Sequence, residues 1–300
     1  MIATSISRVV VVTRPTDYEQ LLAQHATRSQ AAFFLKSRGE CLRHIEVQHE
    51  KLKHIVRVAK AMVPASCRLV HIDRSDLDRF LFEPSDSIVV IGQDGLVANI
   101  AKYLDGQPVL GVNPDPDLFE GILVPLHIGD LRCSLAAAVD RKAHVQKRTL
   151  VQATLDDGQT LVALNELFIG HCSHQSARYR IFANQREEKH SSSGIIVSTG
   201  TGCTGWACSI SDGRAKKIKL PKPDELQLVF FVREAFPSVT TGNTIAQGAI
   251  TRKGKLVIRS EMNEGGVIFG DGMESDYITF NWGKSACIRV SEKRLSLVVV

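Results

Sequence analysis

No apolar run in the sequence reaches the roughly 18 to 20 residues that a membrane helix needs, so neither a helical span nor a membrane partner is expected. A secretory leader is also missing. Met1 to Arg8 is too short for one and runs straight into Val9–Val12, which reads as a buried strand, so a cytoplasmic location is the expectation. The seven cysteines (Cys41, Cys67, Cys133, Cys172, Cys203, Cys208 and Cys287) form no C-x-x-C pair, and their odd number points to reduced thiols. Aromatic residues make up only 6% of the chain and do not interleave with Lys and Arg. Nucleic acid is therefore not an expected partner, and the net charge of +5 suits a small anionic ligand such as a nucleotide. No Walker A loop is present, because Gly283-Lys284-Ser285 lacks the preceding glycine. Metal-ligand spacing is lacking too. His49-Glu50 is followed by His54 at i+5, off the shared helix face, and His171-Cys172 with His174 has no second ligand cluster. No internal repeat or low-complexity tract appears, and the small basic cluster Arg214 to Lys219 reads as a solvated loop.

What is present is an ordinary globular chain of 300 residues, 44% of them hydrophobic, long enough for one large domain or two smaller ones. Arg8 to Thr13, Cys67 to Ile72, Ser87 to Ile91 and Pro108 to Val112 read as buried strands. Between them lie a helix-rich segment, Asp17 to Met62, divided in two at Gly39, and shorter helices at Asp76 to Leu81 and Leu96 to Leu104. That alternation predicts an open parallel α/β sheet. After about residue 122, short β runs dominate: Arg148–Leu155, Ala163–Ile169, Ser176–Ala183, Ile195–Thr199, Gln227–Val232, Lys255–Ser260, Gly266–Phe269 and Tyr277–Trp282. The fold class expected is α/β plus β. A Rossmann-like domain over residues 1–122 precedes a mostly antiparallel, sandwich-like β domain over 123–283. The apolar end, Leu295 to Val300, fits either domain.

Three segments carry candidate chemistry. The turn Gly92-Gln93-Asp94-Gly95 joins a buried strand to a helix, where glycines let backbone N–H groups approach phosphate. A carboxylate beside phosphate is repelled, so Asp94 needs a reason to stand there. It can accept a hydroxyl proton, help to hold Mg²⁺, or simply cap the helix. Second, Gly200, Gly202 and Gly205 match G-x-G-x-x-G formally, but Ser211-Asp212-Gly213 ends the following helix early and the surroundings read as antiparallel β. A Gly- and Thr-rich donor loop is the alternative. Third, Asn165-Glu166 interrupts an apolar strand. Such a buried carboxylate needs partners, from a ribose diol, an adenine edge or an internal network.

In order, Gly92-Gln93-Asp94-Gly95, Asn165-Glu166, Thr201-Gly202-Cys203-Thr204-Gly205-Trp206 and Asp271-Gly272 resemble four motifs of the NAD kinase family. These are its G-G-D-G turn, its N-E or N-D pair, its T-G-S-T-A-Y-like loop and its late D-G turn. The mitochondrial-type branch is the most similar, through Pro108–Pro116 with Glu120-Gly121, Asn165–Gly170, Ser192–Gly194 with Thr199–Gly202, and the helical insert containing Leu35–Gly39. The resemblance covers nearly the whole chain. It implies NAD bound between an α/β and a β-rich domain, a segment of about 284–300 returning to the first, and a homodimer. It implies ATP with Mg²⁺ or another divalent metal as donor system, phosphorylating the 2′-hydroxyl of the adenosine ribose. Asp94 is then the general base, with Gly92, Gln93 and Gly95 at the phosphates. Asn165 and Glu166 hold the ribose and amide part of NAD, and Thr201, Thr204, Trp206 and Ser209 line the adenine side.

The chain departs from the pattern at Gln93 for glycine, Leu96 for threonine, Cys203 for serine, Gly205 for alanine and Trp206 for tyrosine. These departures keep three alternatives in view: a nucleotide-binding relative without turnover, a lipid or diol kinase with a similar turn, and a dehydrogenase using Gly200 to Gly205.

Overall fold

The computed structural model describes residues 7–183 and 185–299. The leader expectation falls on residues 1–6 and lies outside them, as does Val300. Two compact units are present: the residues up to Gln146 together with the end of the chain from Ser296, and Lys147–Leu295.

In the first unit the chain runs β1 (Arg8–Thr13), α1 (Asp17–His25), α2 (Arg28–Lys36), α3 (Leu42–Ala61), β2 (Arg68–Asp73), β3 (Ser87–Ile91), α4 (Asp94–Ala101), β4 (Pro108–Val112) and α5 (Leu131–Val139). The strands are parallel in the order β2-β1-β3-β4. Val9, Val11, Val89, Ile91, Leu110 and Val112 share one face and form a core with Ile55, Val56 and Ala59 of α3 and Leu131 and Leu135 of α5. The alternate residues Val10, Val12, Ile88 and Val90 are equally buried, as a strand covered on both faces requires. Ser296 and Leu297 pair in parallel with Pro108 and Val109 of β4, which gives the apolar end of the chain its place.

Three helices, not two, fill 17–61. The additional break falls at Ala26-Thr27, where the Thr27 side chain accepts from Gln30 N and starts α2. The helix expected at 76–81 is a single 3₁₀ turn, Arg74–Asp76, capped by Asp73. Helix α5 has no counterpart among the elements expected from the sequence.

The second unit contains β5 (Val145–Leu155, its first two residues in the other unit), β6 (Thr160–Ala163), β7 (Glu166–His171), β8 (Ala177–Ala183), β9 (Arg186–Ser192) and β10 (Ile195–Ser198). Then follow α6 (Trp206–Asp212), β11 (Gln227–Val232), β12 (Gln247–Thr251), β13 (Leu256–Ser260), β14 (Gly266–Gly270), β15 (Tyr277–Thr279) and β16 (Ser285–Val298). One antiparallel sheet has the order β12-β11-β10-β7-β14-β15; in the other, β16, β13, β8 and β9 are neighbours and β5 pairs β16 and β6. Leu167, Ile169, Val197, Phe230 and Ile268 of the first sheet and Val151, Ile181, Leu256, Ile258 and Ile288 of the second share one core. That is sheet-on-sheet packing, the sandwich expected from alternating apolar residues. On the opposite face of the first sheet, Ala207 of α6 joins Cys203, Val229 and Phe231. The α/β-plus-β expectation holds.

Candidate active site

In the first unit the strand order reverses between β1 and β3: the chain goes from β1 outward to β2, then returns to lay β3 on the other side of β1. The crevice outside the carboxyl ends of strands at such a reversal is where open parallel sheets bind ligands. Gly92 and Gln93 leave β3 at that point. Gln93, not Asp94, is the residue capping α4, and its side chain makes no cap bond. Asp94 is the first helical residue and is half-buried. Its Oδ1 accepts from Leu123 N at 2.8 Å and its Oδ2 from Ile122 N at 3.1 Å. The carboxylate thus pins the segment after Gly121, a glycine at φ +70 that lets the chain turn in close to Asn113. Each oxygen retains a second acceptor position.

The second unit brings the other three motifs together. Asp271 Oδ2 accepts from Leu164 N at 3.0 Å and Oδ1 from Asn165 N at 2.6 Å. These bonds explain why the expected strand 163–169 is two strands: the N–H groups of Leu164 and Asn165 turn to a carboxylate and leave the ladder. The Gly-rich loop docks on the same turn. Thr199 N donates to Asn165 O at 2.9 Å and Thr199 Oγ1 to Leu164 O at 2.5 Å. Gly202 is glycine because a Cβ there would fall on the Asn165 carbonyl, with Ser198 Oγ 2.6 Å away. Glu166 lies opposite Ser198 in the β7–β10 ladder. Burial, with the charge of Asp271 adding to it, pushes its carboxyl from 4.5 up to about 7. Near neutral pH it can both donate and accept hydrogen bonds.

Trp206 opens α6 and stacks on Phe168, centroids 6.3 Å apart and planes 8° apart, while Phe269 packs on Phe168 at 4.8 Å. The Arg233 guanidinium sits 4.9 Å from the Trp206 ring centre. These residues line a cavity of about 410 Å³ with Tyr277 and Asn281. Thr201 is buried, with Arg148 Nη1 3.5 Å from its hydroxyl, whereas Thr204 and Ser209 are exposed. Asn165, Glu166, Thr201 and Trp206 are therefore joined by the Gly-rich loop, and Ser209 lies one helical turn beyond Trp206. The Cys203 thiol is pushed up to about 11, first by burial, which leaves it inert as a nucleophile.

A scan against protein-family models finds no match. The NAD kinase of Clostridium botulinum is 27% identical over 168 residues, 53% of this chain and 55% of that protein. Mitochondrial NAD kinase 2 of Homo sapiens is 25% identical over 257 residues, 68% of this chain and 58% of that protein. The matches span about half the length of the first of these relatives. An NAD kinase from Archaeoglobus fulgidus, solved in complex with ATP, superposes with TM-score 0.59 at 17% identity, covering 97% of this chain and 93% of that one. Yeast NADH kinase complexed with NADH gives 0.59 at 13% identity, covering 99% and 84%. The fold is that of the NAD kinases.

Within the NAD-kinase fold, two features go beyond the sequence pattern. In sequence, Asp271 is only part of a D-G turn; its carboxylate proves to hold Asn165 in place, across 106 residues of chain. Arg14 belongs to none of the motifs, and its guanidinium reaches Gln93. The only signal for Arg14 is its position directly after a buried strand. No helix among the described residues is long and apolar enough to cross a membrane.

Proposed function

We propose that this chain is an NAD kinase, a phosphotransferase that moves a phosphoryl group from ATP to the 2′-hydroxyl of the adenosine ribose of NAD. The observation that carries this is the Asn165-Glu166 turn, held by Asp271 and roofed by a loop that only a glycine at 202 admits. It presents a polar pair with a half-protonated carboxyl, which is what a ribose diol needs for recognition. Asp94 is the base. The hydroxyl oxygen forms a bond to the γ-phosphorus, the bond from that phosphorus to the β,γ-bridging oxygen breaks, and its electron pair leaves on ADP. The hydroxyl proton passes to the Asp94 carboxylate. Trp206 offers an aromatic face to a base ring, and Gly92 and Gly95 keep the phosphate side of the turn open.

Among the described residues no group of three or more His, Cys, Asp and Glu could hold a metal. That fits Mg²⁺ carried by the donor, which takes one carboxylate and phosphate oxygens, with Asp94 as the protein ligand. Such a metal supplies charge neutralisation on the phosphates. The same reading takes the protein to be a cytoplasmic homodimer, which light scattering and fractionation test.

Gln93 and Leu96 favour a second reading, a relative that binds nucleotide without turnover. Incubating the protein with ATP, Mg²⁺ and NAD and measuring NADP separates the two. Turnover that Asp94→Asn abolishes supports the kinase. Thermal stabilisation by NAD or ATP with no NADP formed supports the second reading.

A further inference from the structure

Gln93 is the place where this chain leaves the G-G-D-G pattern, and Arg14 is the residue it touches. Arg14 follows β1 directly and Gln93 is the second residue after β3, so the two stand at the carboxyl ends of the neighbouring strands that flank the reversal in strand order. Arg14 Nη2 donates to Gln93 Oε1 at 3.2 Å. Both line a cavity of about 100 Å³, together with Gly92, His49, Lys51 and Phe119. The other basic groups there are engaged: Lys51 Nζ lies 2.6 Å from Asp115 Oδ1, and His49 Nδ1 is 2.8 Å from Thr16 Oγ1. Among the described residues, no carboxylate lies within 4.0 Å of the Arg14 guanidinium. A half-buried guanidinium has surrendered part of its hydration and, with no acid beside it, is matched by an anion that binds there. The Gln93 amide is turned so that its oxygen faces Arg14, which leaves its two N–H groups as donors. Guanidinium fork and amide together present the donor set that a phosphate takes.

We propose that Arg14, held in place by Gln93, contacts the terminal phosphate of the triphosphate donor. This rests on the kinase reading and deepens it. Arg14 donates to the non-bridging oxygens of the phosphoryl group in transfer, where charge collects. Gln93 is a positioning residue. Its side chain reaches toward Arg14, so its presence does not obstruct the glycine turn.

The test is calorimetric titration of the full chain with ATP, ADP and inorganic tripolyphosphate, in the absence of NAD, alongside titration with NAD. Arg14→Gln is expected to weaken ATP and tripolyphosphate binding by about 10- to 100-fold, the worth of a hydrogen bond to a charged group. ADP and NAD affinities are expected to stay as in the parent. Arg14→Lys, which keeps the charge, is expected to retain part of the binding and guards against a folding defect in the first variant. Gln93→Glu is expected to lose triphosphate affinity, because the new carboxylate pairs with Arg14. Gln93→Gly is expected to lose less, and to shrink the Arg14→Gln effect when the two are combined. The proposal is overturned if Arg14→Gln binds ATP as tightly as the parent, if ATP and ADP suffer equally, if tripolyphosphate is unaffected, or if Gln93→Gly tightens ATP. If tripolyphosphate binding depends on Arg14 but no NADP ever forms, the anion seat stands and the kinase reading falls.

Discussion

Glu166→Gln should make the second unit more stable at alkaline pH. The Glu166 carboxyl is raised from 4.5 to about 7, first by burial and then by the charge of Asp271. A folded-state pKa above the unfolded one gives stability that is fully present below pH 4.5 and is lost as pH rises through 7. At about 1.4 kcal/mol per pH unit, the full loss approaches 3 kcal/mol, and about 2–3 kcal/mol of it falls between pH 5 and 8.5. Glutamine has the same shape and never ionises, so the variant escapes this loss. Its stability relative to the parent should therefore climb by that amount across the same range. Both tryptophans of the chain, Trp206 and Trp282, belong to the second unit, so tryptophan fluorescence in urea reports its unfolding separately. Parent and variant curves that stay parallel from pH 5 to 8.5 would refute a buried, destabilised carboxyl at 166. NAD, which supplies hydroxyl partners, is expected to act in the opposite direction, so that saturating ligand flattens the parent's pH dependence.

Glu188 should show the reverse sign. Burial alone would raise its carboxyl, but Ile245 N, the Thr244 hydroxyl, the His190 ring and Thr244 N together hold it down at about 2. Its side chain is only 14% exposed, so about 2–3 kcal/mol of stability is expected above pH 4.5, lost as pH falls from there through 2. Urea midpoints measured from pH 6 to 3 should fall less steeply in Glu188→Gln; identical slopes would contradict this. Gly202→Ala places a methyl on the Asn165 carbonyl and should displace the loop, with overpacking strain of about 1–3 kcal/mol and weaker NAD binding by calorimetry. Unchanged affinity would mean that the docked loop is not what holds NAD.

Much of this is written in local sequence. All-apolar β1, β3 and β4 announce a parallel sheet covered on both faces, and Gly92 to Gly95 marks the point where its ligand crevice opens. The break between α1 and α2 is legible too, since Thr27 with Gln30 three residues on is a helix-start pattern. Strand β9, with sequence REEKHSS, is not: it lies at the sheet edge, and its charged residues pair outward. Helix α5 is hidden because LRCSLAAAV lacks a clear polar face. The division of the 163–169 run depends on Asp271, and the role of Arg14 depends on the adjacency of β1 and β3. Both are long-range facts that no local pattern encodes.

The most direct test of the central claim is NADP formation by the purified chain with ATP, a divalent metal and NAD. The expected result is steady NADP production. Asp94→Asn should reduce it by about 100-fold or more, the usual worth of a positioned base, while the protein stays folded and still binds NAD. A folded protein that binds NAD but yields no NADP with any phosphate donor or metal, or an Asp94→Asn variant as active as the parent, would contradict it.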